Sequence, residues 1–308
     1  MPEGHSIHRL ARQFRDVFAG EPLRVSSPQG RFADGARRLD GATLVDARAH
    51  GKHLFLDFDV DLVMRVHLGL YGAWSFGGDE TFRGASSIGA PRRMGETETF
   101  DRAATPGPDD GGAPAYSGPP EPVGQVRARL VSAHGWADLR GPSACEVITP
   151  GEAAAVVARL GPDPLVAGTG PGEFLERVTR RSVALGQLLM DQAVLSGVGN
   201  IYRAESLFRA GLDPWLPGRR LGAADGVRLW EDLAGLMADG VRVGRIITTE
   251  PEHRDAVDPD GEPAPLWPDN AHYVYQRDGL DCRVCGTAVR VTQMQARNLF
   301  WCPGCQAP

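Results

Sequence analysis

GEFLERVTRRSVALGQLLMDQAVLSGVGNIYRAESLFRAG, residues 172–211, is the stretch that decides how this chain is built. Its apolar residues recur every three or four positions, the period of helices buried along one face. The pattern breaks at Ser196-Gly197-Val198-Gly199-Asn200 and closes at Gly211. The break sets two glycines and Asn200 directly ahead of a helix. Backbone N–H groups at a helix start, with glycine allowing close approach, suit a phosphate. An ordinary helix-to-helix turn fits the same letters equally well.

Helical texture continues on both sides of this stretch. Thr149 caps a helix that has Pro150 next and Gly161 as its stop, and a further helix covers residues 222–238. Before Thr149 the period changes. After a helix carrying Ile7, Leu10, Ala11, Phe14 and Val17 on one face come short β-type runs at 22–27, 42–49, 53–58, 62–68, 71–76, 126–133 and 144–148. Many short strands separated by turn residues predict a β-sandwich. The fold class is therefore α+β: an N-terminal β-sandwich domain over 1–149, a helical domain over 150–271 and a small cysteine-rich module over 272–306. Residues 77–124 and 251–270, rich in Gly, Pro and acids, read as loops or disordered inserts.

With 308 residues, 42% hydrophobic and 23% charged, the chain has the composition of a soluble globular protein. It has no apolar run of membrane-spanning length and no signal-peptide layout, so a cytoplasmic location is expected. A net charge of −6 argues against a nucleic-acid binder. The two acidic inserts, however, carry −4 and −5, which leaves the rest slightly basic, with the pairs Arg37-Arg38, Arg180-Arg181 and Arg219-Arg220.

Four of the five cysteines form two CxxC pairs, Cys282/Cys285 and Cys302/Cys305, with sixteen residues between them. That spacing fits one structural, four-thiolate Zn2+ site. The runs at 288–291 and 298–301 form a hairpin that holds Arg297 near its tip. The fifth, Cys145, reads as a buried thiol.

Two features point to proton chemistry. Lys52, after Gly51 and opening a strand, is the single lysine among 33 basic residues. A guanidinium holds its proton above pH ~12, whereas an ammonium near 10.4 can be tuned to exchange one. At the other place, Met-Pro-Glu at the start suits a helix N-terminus; if Met1 is removed, it also leaves Pro2 as a free secondary amine beside the acid Glu3.

The ordered motifs MPEG, GKHLF, HLGLYG, LGPDPL, LLMDQAVLSGVGNIYRAE and FWCPGC resemble the formamidopyrimidine-DNA glycosylase and endonuclease VIII family, within it the actinobacterial endonuclease VIII branch. The resemblance implies a helix-two-turn-helix module, a zinc-finger hairpin, and damaged double-stranded (or single-stranded or bubble) DNA bound by a monomer in a cleft between domains. It implies a bifunctional glycosylase and abasic-site lyase with Pro2 as nucleophile, Glu3 assisting sugar ring opening and Lys52 donating a proton in β-elimination. Arg297 would serve δ-elimination and, with Asn200, hold the flanking phosphates. Leu70 and Tyr71 stand at the wedge position, His67 lies near the backbone, and Arg140 falls where the purine branch has its arginine and phenylalanine loop. Three departures, Ser6 in place of a glutamate, Gly69 in place of a glutamine and Arg140 without an aromatic partner, favour oxidised pyrimidines over oxidised purines. The rivals are a zinc-finger DNA-damage binder without catalysis and a proline-based tautomerase.

Overall fold

The computed structural model describes residues 2–90, 118–257 and 261–307, which fall into two compact units, 1–158 and 159–308.

In the first unit, helix α1 (Gly4–Phe18) is followed by β1 (Arg24–Ser26), α2 (Ala33–Leu39), β2 (Leu44–His50), β3 (His53–Phe58), β4 (Leu62–His67), β5 (Ala73–Gly78), β6 (Ser87–Gly89), β7 (Val126–Val131), β8 (Gly135–Arg140), β9 (Ala144–Ile148) and α3 (Pro150–Val157). The strands form two antiparallel sheets in the orders β2-β3-β4-β9 and β1-β7-β8-β5-β6. Alternation puts Leu54, Leu56 and Phe58 of β3, Met64 and Val66 of β4, Trp74 and Phe76 of β5 and Ala137 and Leu139 of β8 into one core. Helix α1 adds Ile7, Leu10, Phe14 and Phe18 to it, so the expected sandwich with its N-terminal helix is present. On the other side of the β2-β9 sheet, Phe55 and Val63 pack against Ala153 of α3. That contact, with a complete Thr149/Glu152 capping box, keeps α3 in the first unit, so the division falls after Ala158 instead of after residue 149.

The reading of 77–124 as a disordered insert was too wide. Gly77 and Gly78 close β5 against β8, where a Cβ on Gly77 would stand 2.8 Å from the Trp136 ring and one on Gly78 2.3 Å from the His134 carbonyl. These glycines mark close packing, which composition does not distinguish from disorder. Strand β6 adds to β5, and the Gln13 amide of α1 bonds both the carbonyl (2.9 Å) and the N–H (2.8 Å) of Ala85. At the far end of the segment, Arg129 donates to the Pro120 carbonyl at 2.8 Å. The rest of that expectation, 91–117, lies outside the described residues.

The second unit contains α4 (Pro171–Thr179), the single turn α5 (Leu185–Leu188), α6 (Asn200–Arg209), α7 (Ala223–Val243), β10 (Arg290–Met294) and β11 (Arg297–Trp301). Its helical core gathers Phe174, Leu185, Leu189, Leu195, Tyr202, Trp230 and Leu233, and a smaller cluster of Phe208, Tyr273, Val289 and Phe300 seats the hairpin. Helix α7 runs five residues past the expected Ala238 and ends at Gly244, whose φ of 81° is the left-handed C-terminal cap. The described parts of the second expected loop, 251–257 and 261–270, are not loose either. Asn270 bonds both backbone groups of Asp255, and the buried Arg283 inside the first CxxC reaches the His253 carbonyl, the Asp255 carboxylate and the Asp269 carbonyl. Among the described residues, no helix is long and apolar enough to cross a membrane.

Candidate active site, phosphate seat and metal centre

Helix α1 starts at Gly4, so Pro2 precedes the N-cap and Glu3 is the N-cap itself. Neither stands in the first turn, and the helix-start reading of Met-Pro-Glu misses by two residues. The Glu3 carbonyl accepts from the Ser6 N–H at 3.0 Å, but its side chain makes no capping bond. That side chain is nevertheless fully buried, beside the buried Pro2. In the first turn, burial, then Arg9, pushes His5 down to about 3, and its ring lies 3.1 Å from the Ser6 hydroxyl.

Lys52 sits in the two-residue link of the β2–β3 hairpin, where His50 and His53 are cross-strand partners. Gly51, with φ at 57°, takes the first central position of a type II′ turn, a place that favours glycine. The same register continues from His53 to His67, so a row of three imidazoles crosses the sheet end beside the lysine. The rings of His53 and His67 are 4.9 Å apart. Burial, then the charges of Lys52 and Arg65, lowers His67, while burial, then His67, brings His53 to about 3. Both are neutral at pH 7. His67 Nδ1 accepts from the Gly69 N–H at 3.2 Å and lies 2.8 Å from the Ser143 hydroxyl, which leaves the proton of the neutral ring on Nε2.

The loop after β4 is closed by the Gly72 N–H on the Leu68 carbonyl at 3.0 Å. It presents Leu70 and Tyr71 at 43% and 82% exposure, large values for such side chains. Gly69 has φ at 67°, and a Cβ on it would stand 2.9 Å from that of Ser143. A third wedge side chain at that position would strain the backbone and force Ser143 to shift.

Arg140 lies at the end of β8. Its guanidinium is engaged with the Val123 carbonyl at 2.7 Å, the Asp138 carboxylate at 3.1 Å and the Ser75 hydroxyl at 3.3 Å. These bonds tie β8 to β5 and to residue 123.

In the second unit the glycine-rich break is a built turn. The Gln192 side chain bonds the Gly197 N–H (3.1 Å) and the Val198 carbonyl (3.0 Å), Gly197 takes φ at 88°, and Gly199 caps α6. Asn200 opens the helix with its side chain largely buried, donating from Nδ2 to the Asn298 carbonyl at 2.9 Å. Beside it, Met294 of the hairpin packs on Gly186, where a Cβ would be 3.0 Å from the methionine sulfur. Arg297 is the first residue of β11, opposite Met294 across a tip formed by Gln295 and Ala296 alone. Asn200 and the strand that begins at Arg297 are thus brought together within this unit.

Sequence reasoning missed Glu205. Fully buried in α6, its carboxylate accepts the Thr248 hydroxyl and the backbone N–H groups of Tyr273 (2.8 Å), Val274 (2.9 Å) and Tyr275 (2.7 Å). It anchors the segment that leads into the hairpin. The one available signal was a glutamate inside the helix of NIYRAE, at a position otherwise flanked by buried residues.

The four expected cysteine sulfurs lie within 4.8 Å of one another, with Cys285 and Cys302 at 3.4 Å and Cys282 and Cys305 at 3.9 Å. Bonds of ~2.3 Å from a tetrahedral zinc would span edges of about 3.8 Å, so the set fits that ion. Gly304 lets the second knuckle close, since a Cβ there would be 2.9 Å from the Cys285 sulfur.

Comparison with known proteins gives consistent results. The profile described as formamidopyrimidine-DNA glycosylase N-terminal domain matches residues 1–104, and that described as formamidopyrimidine-DNA glycosylase H2TH domain matches 160–252. Endonuclease 8 1 of Mycobacterium tuberculosis (strain ATCC 25618 / H37Rv) is 47% identical over 307 residues, covering 99% of this chain and 100% of the relative. The crystal structure of the MutM (Fpg) protein from Thermus thermophilus superposes with a TM-score of 0.67 at 25% identity, over 99% of this chain and 98% of that one. The Lactococcus lactis Fpg in complex with an oxidised-pyrimidine-containing DNA shares the fold, with a TM-score of 0.72 at 17% identity over 100% of both chains.

Proposed function

Because the chain belongs to the formamidopyrimidine-DNA glycosylase and endonuclease VIII family, we propose that it is a bifunctional base-excision enzyme that removes oxidised bases, pyrimidines before purines, and then cleaves the abasic site. Its substrate is damaged DNA, which puts it in the cytoplasm with the nucleoid. The observation that carries this reading is the front end of the first unit, where Pro2 adjoins a Glu3 buried without capping α1.

Removal of Met1 frees the Pro2 secondary amine. An α-amine near 7.7–8.0 is unprotonated at pH 7 roughly several hundred-fold more often than a lysine near 10.4, so Pro2 is the better neutral nucleophile. Its nitrogen bonds to C1′ of the damaged nucleotide, the sugar ring opens with Glu3 assisting at the ring oxygen, and the base departs. The resulting iminium is permanently cationic and acidifies the C2′ proton. Loss of that proton expels the 3′ phosphate, with Lys52 as proton donor in this β-elimination. A second elimination releases the 5′ phosphate, where Arg297 stabilises the leaving charge, because a guanidinium gives up a proton poorly.

Reaching C1′ requires the nucleotide to leave the stack. Leu70 and Tyr71 fill the gap as apolar wedges, and the neutral His67 donates from Nε2 to a backbone phosphate. Asn200 and the start of α6 hold a flanking phosphate. The four thiolates hold one zinc ion, which contributes folding free energy to the hairpin and takes no part in the chemistry. Ser6, the sterically enforced Gly69 and the internally engaged Arg140 support the preference for pyrimidine lesions.

The test is borohydride trapping on abasic-site DNA combined with intact-protein mass spectrometry. A covalent adduct on a chain that begins at Pro2 is expected. Base excision by a chain that retains Met1 would refute the assignment of the nucleophile.

A further inference from the structure

Arg203 is fully buried in α6, three residues after Asn200. Burying a guanidinium is costly, and an alanine would serve the helix better. What the burial provides is a set of contacts converging on one carbonyl. The Arg203 Nη2 donates to the Asn298 carbonyl at 3.1 Å and also to the Asn200 Oδ1. Because that oxygen accepts from Arg203, the amide of Asn200 must turn its Nδ2 outward, and it donates to the same Asn298 carbonyl at 2.9 Å. Both lone pairs of that oxygen are thereby filled from α6.

Asn298 is the residue after Arg297, and the tip before Arg297 is a bare two-residue turn. Fixing the Asn298 carbonyl therefore fixes the backbone from which the Arg297 side chain leaves. We propose that Arg203 is a positioning residue that locks the hairpin tip, and with it Arg297, against the start of α6, so that the seat of one phosphate and the cation serving the other act as one rigid body. The inference rests on the functional reading above and extends it to a residue outside the reacting groups. Charge-assisted bonds of this kind are the stronger ones, so losing them is expected to affect the step that needs Arg297 and to spare the chemistry of Pro2.

The experiment uses the full-length zinc-loaded protein on abasic-site duplex DNA, separating the trapped adduct, the β-product and the β,δ-product. In Arg203→Met the trapped adduct forms at close to the unaltered rate, δ-elimination slows about tenfold or more, and the β-product accumulates. Arg203→Lys keeps a cation and recovers part of that loss. In an Arg297→Ala background, Arg203→Met slows δ-elimination by less than about twofold further, because the two side chains then act in one pathway.

An unchanged product ratio in Arg203→Met overturns the inference. So does a parallel fall in trapping, which would mean general damage, or a full additional tenfold loss without Arg297. Should Arg203→Met not fold, an unaltered product ratio in Arg203→Lys overturns it equally. Failure of the unaltered protein to trap would strike down the functional reading itself and this inference with it.

Discussion

Lys52 carries the sharpest residue-scale expectation. Arginine would keep the positive charge at the tip of the β2–β3 hairpin while holding its proton above pH ~12. Lys52→Arg should therefore bind abasic DNA within about threefold of the unaltered protein and lose most strand cleavage. Gel shift and product analysis on one substrate decide it, and intact cleavage would make the single lysine an accident of composition. Pro2→Gly keeps a free amine and should retain some lyase activity while losing most base excision; glycosylase assays that show full activity would contradict the nucleophile. His5 makes a different claim, about stability. Its folded value near 3 lies below the ordinary 6.5, so below pH 6.5 the unfolded chain binds the extra proton and stability falls as pH drops toward 3. Between pH 7 and pH 5 this one group costs about 2 kcal/mol, at ~1.4 kcal/mol per pH unit. Urea midpoints should shift accordingly, and His5→Gln should flatten the slope. His53, also lowered, acts in the same direction.

Among the elements, the β10–β11 hairpin tip breaks a local rule. Gln295 and Ala296 both have positive φ, 52° and 57°, the pattern of a type I′ turn, which favours asparagine followed by glycine. A non-glycine residue in this conformation costs roughly 1 kcal/mol or more. The double substitution Gln295→Asn with Ala296→Gly should stabilise the hairpin by about 1 kcal/mol, read as slower amide exchange in β10 and β11. Faster exchange would mean that the native pair makes contacts worth more than the strain. The sequence located this hairpin from its cysteines and apolar runs, but placed Arg297 inside a longer tip. Register is set by which side chains find cover, and the burial of Met294 on Gly186 carries the pairing down to Arg297. The same limit explains the mistaken insert at 77–90, where glycines demanded by Trp136 and His134 look like linker glycines in a one-dimensional reading.

At the scale of the whole molecule, the two units have separate apolar cores, and the four-cysteine cluster lies in the second. Chelating zinc should therefore loosen β10, β11 and the Glu205-anchored segment 273–275 and weaken DNA binding, while amides of β3 and β4 keep their protection. Hydrogen exchange monitored by mass spectrometry tests both halves of that statement, and equal deprotection of β3 and β4 would show that the units do not unfold separately. By itself the sequence determined what depends on residue type and short spacing: the helical and strand periods, the cap at Thr149, the four-cysteine set and the single lysine; pattern alone would have put Leu70 and Tyr71 in the core, and the structure exposes them. Only the tertiary structure decided what depends on partners distant in the chain. It gave Arg140 to Asp138 and Ser75, buried Glu3 without a cap, gathered three backbone amides on Glu205, and set Arg203 and Asn200 on one carbonyl nearly a hundred residues away. The physical reason is that periodicity and capping energies are local. The pairing of a buried polar group is settled only when the fold has chosen which donors and acceptors lose their water together.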